Sequence, residues 1–106
     1  MKVITLILLA ASALSVHAAD PKALWDANCA QCHGKDGRAG TKMGKQLSAK
    51  DLTDPKVQAA FTDAKATQSI KEGVKENGKT TMKAFGGKLT EDEIKALVAY
   101  TRTLKK

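Results

Sequence analysis

Cys29-Ala30-Gln31-Cys32-His33 holds both cysteines of this 106-residue chain, and no other stretch restricts its folding so tightly. Two thiols three residues apart lie on one side of a helical turn, and an imidazole follows directly. This C-x-x-C-H spacing is the attachment signal for a covalently bound c-type haem. The thiols can reach two vinyl groups on one porphyrin edge, and the imidazole meets the iron from the same side. The rival uses each lack a part. A thioredoxin-like dithiol wants a βαβ pattern around it, and no strand pattern is visible. A tetrahedral zinc site needs four N or S ligands. The motif supplies three, and the one other histidine, His17, falls in the leader described next. A disulfide across so short a gap would constrain almost nothing.

The N-terminus reads as a secretory leader. Met1-Lys2 is a short basic start, Val3 to Val16 is almost wholly apolar, and Val16-His17-Ala18 places small or aliphatic residues where a signal peptidase cuts. The apolar run is shorter than the roughly 20 residues of a membrane span. Cleavage is expected near Ala18, with residues 1–18 as leader and residues 19–106 as one domain. The expected address is the periplasm, an oxidising compartment. His33 is then the only histidine left. Trp25, Phe61, Phe85 and Tyr100 are the only aromatics of the domain. A domain this small is marginal on its own apolar surface, and a buried porphyrin would supply the missing apolar body.

Four helical segments joined by glycine-rich loops are expected. Asp20-Pro21 starts the first, since Asp caps and Pro suits the first helical position; Leu24, Trp25 and Asn28 follow at helical spacing. Residues 34–53, with Gly34, Gly37, Gly40 and Gly44, read as a long loop that wraps a ligand edge. Asp54-Pro55 repeats the start signal ahead of Val57, Ala60 and Phe61. A third helix is expected from Thr67 or Ser69, with Ile70 and Val74 inward and Asn77-Gly78 as its stop. The last helix carries a capping box, Thr90 with Glu93, and a hydrophobic staple, Leu89 with Ile94. Ile94, Leu97, Val98, Thr101 and Leu104 share one face, which should cross the Trp25 helix.

The far side of the iron decides what such a centre does. His–Met ligation gives an electron-transfer site of raised potential, whereas an open sixth position allows small-molecule binding or catalysis. Met43 and Met82 are the methionines beyond the leader. Met82 lies between the third and fourth helices, among Thr80, Thr81, Gly86 and Gly87, which suit a chain laid against a flat ligand. Met43 lies ten residues beyond His33. At roughly 3.3 Å per extended residue it could reach round, at the cost of straining the wrapping loop. Met82 is the favoured ligand; a vacant or lysine-ligated iron are the alternatives.

With these residues the chain resembles the small soluble class I cytochromes c. The resemblance covers most of residues 20–106. It rests on the haem motif with Gly34, the Met82-Lys83-Ala84-Phe85-Gly86 segment, and Leu97 to Tyr100 on the last helix. It implies an all-α, cytochrome c-like fold of about four helices wrapped around one covalently attached haem. It also implies Cys29 and Cys32 as haem thioethers, His33 as proximal and Met82 as distal iron ligand. Trp25, Leu97 and Tyr100 should meet at a crossing of the N- and C-terminal helices. The chain departs from the family where Lys83 follows Met82 in place of Pro, and where Pro21 stands at a helix-crossing Gly. It also has no Pro in residues 34–54, which leaves the acceptor for the His33 ring N–H open; a carbonyl from another residue can do that job.

The formal net charge is +7, and Lys2 leaves with the leader. Aromatics do not alternate with the basic residues as nucleic-acid stacking requires. Lys71, Lys75, Lys79, Lys83 and Lys88, against Glu72 and Glu76, form a candidate docking patch for acidic redox donors and acceptors. The competing reading is a solvated helix face. No general acid, base or nucleophile constellation appears. The expected role is a monomeric, one-electron carrier without a substrate reaction of its own and without a membrane span. The alternatives are a haem subunit of a larger oxidoreductase, or a haem enzyme or gas sensor with a vacant sixth position.

Overall fold

Local capping signals divide the chain into short helices, and the computed structural model describes residues 20–106. The leader expected over residues 1–18 lies outside them. Helix α1 spans Pro21–Asn28, with the Asp20 carboxylate accepting from the Lys22 N–H at 3.2 Å. Its end runs almost without a break into α2, Ala30–His33: the His33 N–H donates to the Cys29 carbonyl at 2.9 Å. The pentapeptide is therefore one helical turn, closed by Gly34 at φ +77°.

The glycine-rich stretch that follows is not all loop. Thr41 caps a short helix, α3, Lys42–Gln46, and accepts from the Gly44 N–H at 2.9 Å. Its hydroxyl lies 2.7 Å from the Gln31 carbonyl and 3.0 Å from that of Cys32, donating toward them and tying α3 to the motif. Helix α4, Pro55–Ala59, starts at the Asp54 cap as expected. Gln58 on it is buried and donates from Nε2 to the Leu52 and Thr101 carbonyls.

Helix α5, Asp63–Glu72, begins earlier than Thr67, because the Thr62 hydroxyl accepts from the Lys65 N–H. It also ends earlier than Asn77-Gly78, at Gly73 with φ +77°. Asn77 and Gly78, at φ +52° and +77°, instead form the two-residue turn of a hairpin. Strands β1, Val74–Glu76, and β2, Lys79–Met82, pair antiparallel. The chain is mostly helical as expected, but with six helices where about four were expected, and with one small hairpin, among the described residues. Met82 ends a strand rather than sitting in a loop.

Helix α6, Glu91–Thr103, carries the full capping box, with Thr90 and Glu93 each bonding the other's backbone. Leu89 and Ile94, the staple pair, are both buried. Ile94, Leu97, Val98 and Thr101 face the core, and α6 packs on α1 with the Trp25 and Tyr100 rings 5.5 Å apart. Trp25, Ile94 and Leu97 are the largest fully buried side chains. The core therefore sits at this crossing, directly behind the Cys–His turn.

Candidate functional site

The helical turn of residues 29–33 turns its thiol and imidazole groups toward a space that the α1–α6 core leaves open. A cavity of about 160 Å³ reaches inward, walled by Leu52, Phe61, Ile70 and Leu97. A cleft of about 410 Å³ opens outward past Cys32, Met43, Lys50 and Thr80. Cys29, His33 and Met82 line both. Met82, 49 residues beyond His33 in sequence, thus lines the same junction as Cys29 and His33. Cys32 and Met43 line only the outer cleft.

Burial sets the chemistry of these groups. The Cys29 thiol is pushed up to about 11, chiefly by desolvation and then by the neighbouring Cys32. That is the opposite of an activated redox thiol, whose pKa is depressed. Burial also lowers His33 below the ordinary imidazole range, so the ring is neutral at pH 7, the form that ligates a metal. The His33 Nδ1 atom is buried without a hydrogen-bond partner. Instead, the ring packs against Trp25, centroids 5.8 Å apart, while the Trp25 Nε1–H donates to the Gly34 carbonyl at 2.9 Å. That bond holds the indole behind the imidazole.

This donor set suits haem c: a neutral, half-buried imidazole, two cysteines without a disulfide, and a thioether on an apolar cavity. It does not suit zinc, since no group of three or more His, Cys, Asp or Glu able to hold a metal ion occurs among the described residues.

The two methionines have different settings. Met82 is half-buried and packs against the core cluster. Met43, on α3, is 37% exposed, the one exposed large hydrophobic residue among those described. The lysines differ in setting. Lys71 pairs with Glu91 at 3.0 Å. Lys83 lines the outer cleft and lies 5.3 Å from the Phe85 ring centroid. Lys75 and Lys79 are exposed on the hairpin, and Lys88 is exposed before α6. Lys50, which the sequence reading passed over, also lines the cleft. Leu52 and Phe61 line the inner cavity; Phe61, expected on the short helix after Asp54-Pro55, follows its end, and no local pattern marked Leu52.

Three comparisons bear on this geometry. Residues 16–100 match the family described as cytochrome C oxidase, cbb3-type, subunit III. The cbb3-type cytochrome c oxidase subunit FixP of Azorhizobium caulinodans is 36% identical over 81 residues, 76% of this chain but 25% of that protein. The chain therefore spans a quarter of FixP's length. A cytochrome c6 of Rippkaea orientalis is 36% identical over 94 residues, covering 89% of this chain and 77% of the relative. Among solved structures, the KustC0563 c-type cytochrome superposes with a TM-score of 0.74 at 38% identity, over 82% of this chain and 99% of that one. No helix among the described residues is long and apolar enough to cross a membrane.

Proposed function

The chain belongs to the class I c-type cytochromes, and we propose from that premise that it is a monohaem one-electron carrier. Haem c, when bound, supplies the Fe(II)/Fe(III) couple. Cys29 and Cys32 would hold it through thioethers, and His33 and Met82 would ligate its iron. The observation that carries this reading is the convergence of Cys29, His33 and Met82 on one apolar cavity. The apolar lining of the cavity, together with a thioether ligand, would favour the reduced state. Trp25 keeps the imidazole in place from behind.

The leader is removed near Ala18, and residues 19–106 work as one domain in the periplasm. Redox partners dock beside the open cleft, steered by Lys75, Lys79, Lys83 and Lys88, with Lys71 tied to Glu91. Electron-transfer rates that fall with ionic strength support this steering; salt-independent rates refute it.

The decisive experiment is the spectrum of the reduced protein with and without carbon monoxide. Wild type is expected to be inert and Met82→Ala to bind the gas readily. Ready binding by wild type would instead favour a sensor or enzyme with an open iron. A second reading, a haem subunit of a larger oxidoreductase, is favoured by the matches to the cbb3-type subunits. Elution at monomer mass from native extracts would count against it.

A further inference from the structure

The segment from Met82 to Gly86 is anchored to the end of α5 by backbone alone. A helix leaves its last four carbonyls without intrahelical donors. Here the Ser69 carbonyl takes the Gly73 N–H at 2.9 Å, as a local cap would. The next two are satisfied from outside the helix: the Phe85 N–H donates to Ile70 at 2.8 Å and the Gly86 N–H to Lys71 at 3.0 Å. On its other side the segment is held by the hairpin, where Met82 pairs with Val74. The register shifts between Val74 and Lys75, so Thr81 has no partner of its own, a bulge that re-aims the residue beside it.

Two glycines make this approach possible. At Gly73 an added Cβ would lie 2.6 Å from the Met82 carbonyl oxygen, 3.0 Å from the Ala84 nitrogen and 3.1 Å from the Lys83 carbonyl carbon. At Gly86 it would lie 2.8 Å from the Lys71 carbonyl oxygen. Both obstacles are backbone, which cannot swing aside as a side-chain tip can. We propose that Gly73 and Gly86 are positioning residues for the Met82 sulfur: by lacking a Cβ they let the 82–86 strap lie on the end of α5, at the height that aims Met82 into the cavity. This rests on Met82 being the distal ligand.

The glycines separate collision from backbone strain. Gly78, in the hairpin turn, shares the φ of +77° with Gly73, but a Cβ there meets nothing within 4 Å. Gly73, at ψ −179°, lies in a region open essentially to glycine alone, so Gly73→Ala adds strain to the collision with the strap; Gly86, whose φ is not positive, carries the collision by itself. The holoprotein variants are compared by the weak red charge-transfer band of thioether sulfur on ferric haem, by carbon monoxide binding, and by far-UV circular dichroism. Gly73→Ala is expected to lose most of the band. Its carbon monoxide affinity should rise about tenfold or more, in proportion to the fraction of molecules with the strap displaced. Gly86→Ala should follow it, and Gly78→Ala should keep wild-type ligation. Equal effects from Gly73→Ala and Gly78→Ala, or a wild-type band in both Gly73→Ala and Gly86→Ala, would overturn the proposal. So would loss of helical signal in both, since those glycines would then serve the fold rather than the sulfur. Met82→Ala separates the two ideas. If it leaves the band intact, the ligand reading falls; if it abolishes the band while Gly73→Ala and Gly86→Ala keep it, only the positioning role falls.

Discussion

Arg102 joins α6 to the turn between α4 and α5, and replacing it with Met tests how the cavity wall is held. Its Nη1 donates to the Gln58 carbonyl at 2.6 Å and to the Gln58 Oε1 at 2.9 Å, and its Nη2 to the Phe61 carbonyl at 2.8 Å. Its Nε meets Asp63 at 2.8 Å, and the guanidinium lies 4.3 Å from the Phe61 ring centroid. The Asp63 carboxylate is 72% exposed, so that pair contributes about 0–1 kcal/mol. The Gln58 contacts weigh more, because Gln58 is 4% exposed and its Oε1 would be left without a donor, at about 1–3 kcal/mol. The freed Phe61 and Gln58 carbonyls add roughly 1 kcal/mol, since they are only partly buried and can take water. Arg102→Met, which keeps the aliphatic stem, should therefore cost about 3 kcal/mol in all. For a domain of this size that is a Tm fall of roughly 12–24 °C. Asp63→Asn should cost under about 1 kcal/mol. Thermal and urea melts of the holoprotein measure both. An Asp63→Asn loss as large as that of Arg102→Met would show that the exposed ion pair, and not the buried amide, carries the contact.

Other substitutions separate fold from ligation. Gly44→Ala would drive a Cβ into the Cys32 carbonyl oxygen and to 2.8 Å from that of Ala39, so it should cost about 2–3 kcal/mol in a urea melt; a loss below about 0.5 kcal/mol would mean that α3 sits off the motif. Thr90→Ala removes the cap on α6 and should lower the Tm by roughly 4–8 °C, about 1 kcal/mol, with the visible spectrum unchanged. Met43→Ala should leave the red band intact, since Met43 is exposed on a helix tied to the Gln31 and Cys32 carbonyls; loss of the band in this variant alone would move the distal ligand from Met82 to Met43.

Elements whose signals are all local were legible in the sequence. Helix α6 shows this: cap, box, staple and apolar stripe lie within residues 89–104, and each acts at its expected place. Asn77-Gly78 misled because that dipeptide suits both a helix stop and a type I′ hairpin turn. The discriminating residue is Gly73, whose positive φ ends α5 early enough to leave a strand on each side of the turn. No alternation of apolar and polar residues announced those strands, for Lys75, Glu76, Lys79 and Thr80 are all exposed. Helix α3 was hidden by glycine density. Gly44 read as a sign of looseness, yet its missing side chain is what lets the helix rest on the Cys32 carbonyl.

The site divides along the same line. Cys29, Cys32 and His33 fall within one turn, so their spacing alone states their geometry. Met82 is different, because a methionine carries no local mark that separates a ligand from a core filler. What distinguishes Met82 from Met43 is tertiary. One is brought by a hairpin and a strap to the cavity that His33 faces, and the other is held on the exposed side of the motif. The inner walls, Leu52 and Phe61, flank α4 without belonging to it, and their placement depends on Gln58 bonding the Leu52 and Thr101 carbonyls and on Arg102 of α6 bonding the Phe61 carbonyl. A contact network that closes a pocket from polar anchors outside it leaves no hydrophobic pattern to read. The cavity was therefore foreseeable as a need of the porphyrin, but its lining was not.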